Sequence, residues 1–436
     1  MKRIIAITIA FLMITLFMPV SAVDTDATVQ RTALLDLSAQ TTPVSSSREG
    51  WSFYPAGNDG QPLLTLNGYG MESAHSAPIL LPQNCTVQVT GECYIDNAIL
   101  GEQYDLITGA ADGYLHVEGS GTLNLYADQF HGKGMTIALG GSGQGNEDIM
   151  TLNDVTINYY GMERDMYTAF YLQPALYAFE SMDLHNVTLN TFEGGYGIWM
   201  YGHTLIGEAL TEETASTLLI DGCNINIHSV TGNNWQYAKG IYTTYGNILI
   251  RNSHIDIEAG SGSFYAYKTI TFDRGSNVNV MSTPVSTADS AKILYCNKLV
   301  IKTGIERVHI GCKRYIAGDV IYTKEDYVSV LGAGVTVTIG SFENGCFAGA
   351  TDPNYNNWPA FEAVGEGLSI LLGDVDGNGV VNANDALLIL RYSLGLISSL
   401  PYPEAADVDG NGAINANDAL LVLRFSLGLI EHFPAE

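Results

Sequence analysis

Between residues 148 and 283, apolar and polar side chains alternate in short runs, and the runs recur. "IMTLNDVTINY", "SMDLHNVTLNT", "TLLIDGCNINIHS", "NILIRNSHIDIEA" and "TITFDRGSNVNVMS" each read as a strand, a tight polar turn and a second strand. A period of two puts one face of each strand in a core and the other in solvent. The pivotal apolar residues are Leu152, Leu184, Ile220, Ile250 and Phe272, in steps of 32, 36, 30 and 22 residues. A shorter element precedes several of them: "ALYAF", "GIYTT" and "SFYAY", with "KILYC" before Ile301. Periods of about 20–50 residues built from short strands predict a solenoid, each coil contributing two or three strands.

Stacked coils align Thr156, Thr188, Asn224, His254 and Asn277 in one outward column. Two residues on, Asn158, Asn190, Asn226, Asp256 and Asn279 form a second. With coils about 4.8 Å apart, the two columns make a continuous polar strip. Tyr177, Tyr242 and Tyr265 recur with the same repeat and are expected to stack inside the solenoid or at its corners.

The pattern changes near the end of the chain. "DVDGNGVVNANDALLILRYSLGLI" (374–397) returns 33 residues later as "DVDGNGAINANDALLVLRFSLGLI" (407–430), with four differences. Leu387, Leu388, Leu390, Leu394 and Ile397 recur at helical spacing, as do Leu420, Leu421, Leu423, Leu427 and Ile430; Gly395 and Gly428 mark the helix ends. Before each helix, oxygen-bearing side chains stand at loop positions 1, 3, 5, 9 and 12, with Gly at 6. They are Asp374, Asp376, Asn378, Asn382 and Asp385 in the first copy, and Asp407, Asp409, Asn411, Asn415 and Asp418 in the second. A hard cation such as Ca²⁺ takes six to eight oxygens at about 2.3–2.6 Å, and this spacing folds a short loop around one. Position 7, Val380 or Ala413, offers its backbone carbonyl, so its side chain is free to vary. Asp at position 12 is one methylene shorter than the usual Glu and implies a tighter loop. Two copies with the same ligands, each entering a helix, argue against plain Asx turns.

These residues resemble a type I dockerin over 373–434. The resemblance implies a small all-α module of two loop–helix repeats, two Ca²⁺ ions, and a cohesin domain of a scaffoldin as partner. Gly365, Gly367 and Gly373 agree with the family's lack of an entering helix. The family's cohesin-reading positions fall on Ala383, Asn384, Leu390 and Arg391, and on Ala416, Asn417, Leu423 and Arg424. Ala-Asn stands where many members carry Ser-Thr, which leaves the cohesin type open. Matched copies imply that either helix can present the same residues to one cohesin.

Residues 50–345 resemble, more loosely, the right-handed parallel β-helices of the pectin-lyase-like superfamily. "GWSFYPAGNDGQPLLTLNGYG" (50–70) is similar to the openings of some bacterial surface proteins. A β-sandwich carbohydrate-binding module is the alternative fold. The expected organisation is a signal peptide (1–22), an all-β parallel β-helix (23–348), a linker (349–372) and the dockerin (373–436). "GATDPNYNNWPAFEAVGEG" supplies the Pro, Asn and Gly of that boundary, with Trp358 and Phe361 positioned to cover the last coil.

Lys2 and Arg3, the run IIAITIAFLMITLFM and Val20-Ser21-Ala22 have the three parts of a secretory signal, so the mature chain is expected outside the cell. No other stretch approaches the roughly 18 apolar residues of a membrane span. The 46 acidic and 19 basic residues give a net charge of −27. That disfavours nucleic acid, which needs clustered Lys and Arg, and repels anionic glycans unless a cation bridges the two. Six cysteines are too sparse for a disulfide scaffold, and whether Cys85 and Cys93 pair stays open.

On the polar strip, His254 and Asp256 are the candidate acid and base, although a solvated strand face needs polar residues anyway. Asn158, Asn190 and Asn226, with Trp235 and Tyr237 of "GNNWQYAKG", are the candidate sugar contacts. The NTD, DD, GHG and RIK motifs of polygalacturonase-like enzymes are missing, and "YGHTL" (201–205) lacks the second Gly. Arg251, Arg274, Lys239 and Lys268 offer bases for a lyase, but without signature spacing. Glu163 and Asp165 read as a solvated loop. The expectation is a component of a cohesin–dockerin, cellulosome-like assembly in polysaccharide catabolism. Its solenoid is either a lyase or glycoside hydrolase, or a non-catalytic carbohydrate-binding or adhesive module.

Overall fold

The computed structural model describes residues 23–24 and 34–435, except 58–59, 71–77, 97–105, 111–112, 127–136, 140–147, 162–173, 193–196, 203–214, 230–239, 260–262, 283–292, 313–320, 324–329, 344–345, 351–359, 366–370, 378–379 and 398–399. The leader 1–22, Glu163, Asp165, Trp235, Tyr237, Lys239, Trp358 and Asn378 therefore lie outside the described residues.

Each coil of the large domain turns through three strands, and like strands pair with like across coils. Among the described residues the result is three long sheets of 13, 11 and 10 strands, here sheets 1, 2 and 3 in the order the chain visits them. Pairing through the body is parallel, as a parallel β-helix requires. The five pivots form one in-register column: Leu152 pairs with Leu184, then Ile220, Ile250 and Phe272 follow. All five are fully buried, because the pleat turns every second side chain inward.

The bend between sheets 1 and 2 is short, and its pivot adopts left-handed backbone: Asp154 (φ 58°), Asn186 (φ 54°), Gly222 (φ 66°), Asn252 (φ 49°) and Gly275 (φ 62°). Only Gly, Asn and Asp enter this region readily. That requirement explains the Asn, Asp and Gly residues recurring between each pair of strands.

Both ends of the stack switch to antiparallel pairing. Val44–Ser46, Trp51–Tyr54 and Leu63–Asn67 form a meander at one end. At the other, Ala360–Val364 pairs antiparallel with both Arg307–Cys312 and Thr336–Glu343. Such strands occupy edges that would otherwise template another chain. Ala360–Val364 falls within the segment read as a linker (349–372), and for these residues the reading is corrected. Phe361 is fully buried in the solenoid core, so burial of its ring ties this segment to the last coils.

The tyrosines of sheet 3 are also corrected. In Leu176–Ala178, Ile241–Thr243 and Phe264–Ala266 the flanking residues are buried and the central tyrosine is only partly so. Tyr177, Trp199, Tyr242, Tyr265 and Tyr295 thus form an outward column. Tyr242, Tyr265 and Tyr295 stack at 4.4 and 4.6 Å between centroids. Cys85, Cys93, Cys223 and Cys296 are free and buried. Burial pushes the thiols of Cys85, Cys223 and Cys296 up to about 12, which keeps them inert. No helix among the described residues is long and apolar enough to cross a membrane.

Candidate functional site

The C-terminal module is built from two helices, α1 (Ala383–Ser393) and α2 (Ala416–Ser426). Both start with the same capping box. The Asn382 side-chain carbonyl accepts from the Asn384 N–H at 2.8 Å, and the Asp385 carboxylate accepts from the Asn382 N–H at 2.8 Å. In α2, Asn415 accepts from Asn417 at 2.8 Å and Asp418 from Asn415 at 2.9 Å. Each such cap stabilises a helix by about 1 kcal/mol.

Ile389, Val422, Ala386, Ala419, Val375 and Val408 form a separate small core. The residues at the sequence-assigned cohesin-reading positions, Ala383, Asn384, Leu390, Arg391, Ala416, Asn417, Leu423 and Arg424, are all exposed. Leu387, Leu394, Leu420 and Leu427 add to the exposed apolar surface.

The loops converge their acids. Carboxylate oxygens of Asp374, Asp376 and Asp385 lie within 4.8 Å of one another, as do those of Asp407, Asp409 and Asp418. Asp374, Asp385 and Asp418 are buried. Burial, and then the neighbouring Asp376 and Asp374, hold the Asp385 carboxyl above the usual carboxylate range. Such a cluster is poor by itself and good around a cation, and an all-oxygen donor set suits a hard divalent ion.

The position-9 residues have another duty. The carbonyl oxygens of Asn382 and Asn415 hold helix N–H groups. Their amides donate to the carbonyls of Val380 and Ala413 at 3.0 and 2.8 Å. In the second loop, Asp407 accepts from Asn411 at 3.1 Å and from Gly412 at 2.7 Å, and Asn411 accepts from Ala413 at 2.9 Å.

On the solenoid, the outer face of sheet 2 carries three parallel columns. The first two are those expected from the spacing: Thr156, Thr188, Asn224, His254 and Asn277 in register, and Asn158, Asn190, Asn226, Asp256 and Asn279 in register. In the second column the side chains form a ladder. Asn158 donates to Asn124 at 3.0 Å, Asn190 to Asn158 at 2.9 Å and Asn226 to Asn190 at 2.9 Å. Beyond the next coil, Asn279 donates to Asp256 at 3.0 Å.

The third column was not anticipated. It runs Tyr126, Tyr160, Phe192, His228, Glu258. Tyr126 and Tyr160 stack at 4.6 Å, and Tyr160 and Phe192 at 5.0 Å. The stack ends at Phe192, which is 45 % exposed. His228 Nδ1 then lies 3.5 Å from Glu258 Oε2.

Where the aromatic stack gives way to these ionisable groups, a groove of about 590 Å³ opens. It is lined by Asn190, Phe192, Asn226, His228, Asp256 and Glu258, with Asn279 and Met281 on the far side. Asp256 is inside it, whereas His254, two residues earlier on the same strand, is not among the lining residues. Arg251 and Lys268 are elsewhere: Arg251 pairs with Asp221 at 2.8 Å, and Lys268 lies over the Tyr267 ring. At the end of the second column His309 is 1 % exposed, its Nδ1 3.7 Å from a Glu362 oxygen that also takes the Arg307 Nε at 2.6 Å. Burial, and then Arg307, hold the His309 imidazole below its ordinary range, against the pull of Glu362.

These features define a parallel β-helix that carries a duplicated acidic loop–helix module at its C-terminal end. Residues 372–425 match the family model described as "Dockerin type I domain", and this segment is a type I dockerin. Two solved structures are similar to part of the chain, both of the third cohesin ScaC in complex with the ScaB dockerin from Acetivibrio cellulolyticus, displaying a type I interaction. In one the dockerin carries an IN to SI mutation in its C-terminal helix, with 55% identity over 15% of this chain and 94% of that chain and a TM-score of 0.15. In the other the mutation is in the N-terminal helix, with 54% identity, the same coverages and the same TM-score of 0.15. No curated protein matches the chain significantly.

Proposed function

We propose that this protein is a secreted component of a cohesin–dockerin assembly, and that its solenoid engages a polysaccharide along the outer face of sheet 2. For docking, the supporting observation is the pair of carboxylate clusters beside exposed, matching helix faces. Asp374, Asp376 and Asp385 would hold one Ca²⁺, and Asp407, Asp409 and Asp418 another. The carbonyls of Val380 and Ala413 and the side chain of Asn411 are close enough in sequence to join them. A bound ion would cancel the repulsion within each cluster and set the angle at which the loop enters its helix. Each helix then offers Leu390 and Arg391, or Leu423 and Arg424, to a cohesin.

For the polysaccharide, the reading is carried by the aromatic column that runs alongside the asparagine ladder and ends at Phe192 in the groove. An exposed ring edge and face beside a row of amides can contact the C–H faces and the hydroxyls of a sugar chain together. Among the described residues, the ionisable groups lining the groove are Asp256, Glu258 and His228, two of them carboxylates. This favours a neutral glycan over a uronate polymer.

Asp256 and Glu258 support a second reading, hydrolysis, in which one carboxyl protonates the leaving oxygen and the other activates water or attacks. Incubating the full chain with neutral and acidic polysaccharides, with and without calcium, separates the outcomes. New reducing ends would establish hydrolysis, and ultraviolet absorbance from unsaturated products would establish a lyase. Co-sedimentation without product would establish binding alone. Silence in all three removes the polysaccharide reading and leaves docking to stand on calcium-dependent cohesin capture.

A further inference from the structure

The two dockerin repeats keep equivalent backbone contacts beyond their helices. Leu400-Pro401-Tyr402 after α1 corresponds to Phe433-Pro434-Ala435 after α2, again 33 residues apart. Leu400 and Phe433 are both buried in the module's core. The N–H of Tyr402 donates to the Val375 carbonyl at 3.1 Å, and the N–H of Ala435 to the Val408 carbonyl at 3.1 Å. Each residue also lies over the fourth position of its own acidic loop: the Tyr402 ring over Gly377, the Ala435 methyl over Gly410. Position for position the backbones match, and the side chains do not.

The odd tyrosine reaches the solenoid. Its hydroxyl donates to Asn252 Oδ1 at 2.6 Å. Asn252 is the left-handed pivot of a bend between sheets 1 and 2. Its amide nitrogen donates to Asp221 Oδ1 at 2.9 Å, which fixes the side chain with its carbonyl oxygen towards Tyr402. In the next coil the pivot is Gly275. A Cβ there would stand 2.9 Å from both Tyr402 Oη and Asn252 Oδ1, so any larger residue would crowd the contact. Asn followed by Gly in successive bends thus makes a receptor for one phenol.

We infer that the corner at Asn252 and Gly275 is a docking seat for the chain's own dockerin, and that it accepts the first repeat and rejects the second. Ala435, the equivalent of Tyr402, has neither the reach nor the hydroxyl to occupy it. The contact therefore holds an otherwise two-fold-like module in one of its two orientations. It also makes α1 and α2 inequivalent with respect to the solenoid. His254, the first residue of a strand on the groove-bearing face, follows Asn252 by two positions, so the seat borders that face. None of this depends on what the groove binds.

The test uses the full chain in calcium, with photoreactive benzoylphenylalanine at one site or the other: Tyr402→benzoylphenylalanine or Ala435→benzoylphenylalanine. Irradiation and peptide mass spectrometry should join position 402 to the peptides holding Asn252 or Gly275, with loss of that product when the probe is at 435. Small-angle scattering of Tyr402→Ala and Asn252→Ala supplies a readout without the bulky probe. Both should increase the radius of gyration by the same amount, and the double variant should add nothing. Equal cross-linking from 402 and 435, no product at that corner, or an unchanged radius in both single variants would overturn the inference.

Discussion

Asp256→Asn separates what the sheet 2 face needs for stability from what it needs for function. Every amide in the second column donates towards the preceding coil, from Asn158 through Asn226. The carboxylate of Asp256 accepts from Asn279 at 3.0 Å but has no hydrogen to pass to Asn226. Asparagine at 256 would complete the ladder, adding one amide–amide bond with a net value of about 0.5–1.5 kcal/mol. Against this, the Asn279 bond loses its charge assistance, a change of similar size. Removing one negative charge beside Glu258, in a chain of net charge −27, adds a small gain. Asp256 is exposed, so solvent shrinks each contribution. The balance falls between zero and about 1 kcal/mol of stabilisation, a shift of at most a few degrees in a domain of this size.

Thermal unfolding followed by circular dichroism, wild type beside Asp256→Asn, reads the first half. Glycan turnover reads the second: if Asp256 is the acid or base, the rate falls by roughly 10²-fold or more. A variant that unfolds more than about 1 kcal/mol more easily would show the carboxylate to be a structural member of the ladder. Unchanged turnover would remove Asp256 from the chemistry.

Three further outcomes are expected. Asp385→Ala or Asp418→Ala should lower the calcium stoichiometry measured by calorimetry from two to one, and the double variant should bind none. Tyr160→Ala, which removes the middle ring of the stack and leaves Phe192 unsupported, should weaken co-sedimentation with glycan and cost about 0.5–1.5 kcal/mol of ring pairing; unaltered retention would exclude the column from binding. His309 is held below its ordinary range, so below about pH 6.5 the unfolded chain takes up a proton that the folded one refuses. Solenoid stability should therefore fall as pH drops through that range, and His309→Gln should flatten the dependence.

Much of the solenoid could be read before its coordinates because its pivots obey a period of two. Leu152, Leu184, Ile220 and Ile250 each sit in a five-residue alternation long enough to show which side faces in, and Phe272 continues their column. The tyrosine-bearing strands of sheet 3 are three residues long, and "LYA" or "FYA" reads as apolar throughout. That is why the tyrosines were expected inside the solenoid or at its corners, when the pleat turns only their neighbours in. The antiparallel ends obey no repeat, so Ala360–Val364 looked like a linker. In the dockerin, spacing identified the converging aspartates. The capping role of Asn382 and Asn415 was hidden because one residue type serves both a loop and a helix start. The groove was half legible: Asp256 stood out, whereas Phe192, His228 and Glu258 belong to a column whose members share no residue type.

That lack of a shared type argues for where function lies on the solenoid. A repeated outer face can satisfy itself: threonines solvated, asparagines bonded to asparagines, aromatic rings stacked on rings. From Thr122 to Thr188, Asn124 to Asn190 and Tyr126 to Phe192 the three columns of sheet 2 do this. In the next two coils all three abandon it. Threonine gives way to Asn224 and His254, the ladder meets an acceptor-only carboxylate at Asp256, and the stack passes to His228 and Glu258. One substitution against the local rule could be drift. Three side by side on one face, two of them in the columns that line the groove, break the self-consistency that stabilises the rest of the sheet, and sites of that kind are where a fold trades local fit for chemistry or recognition.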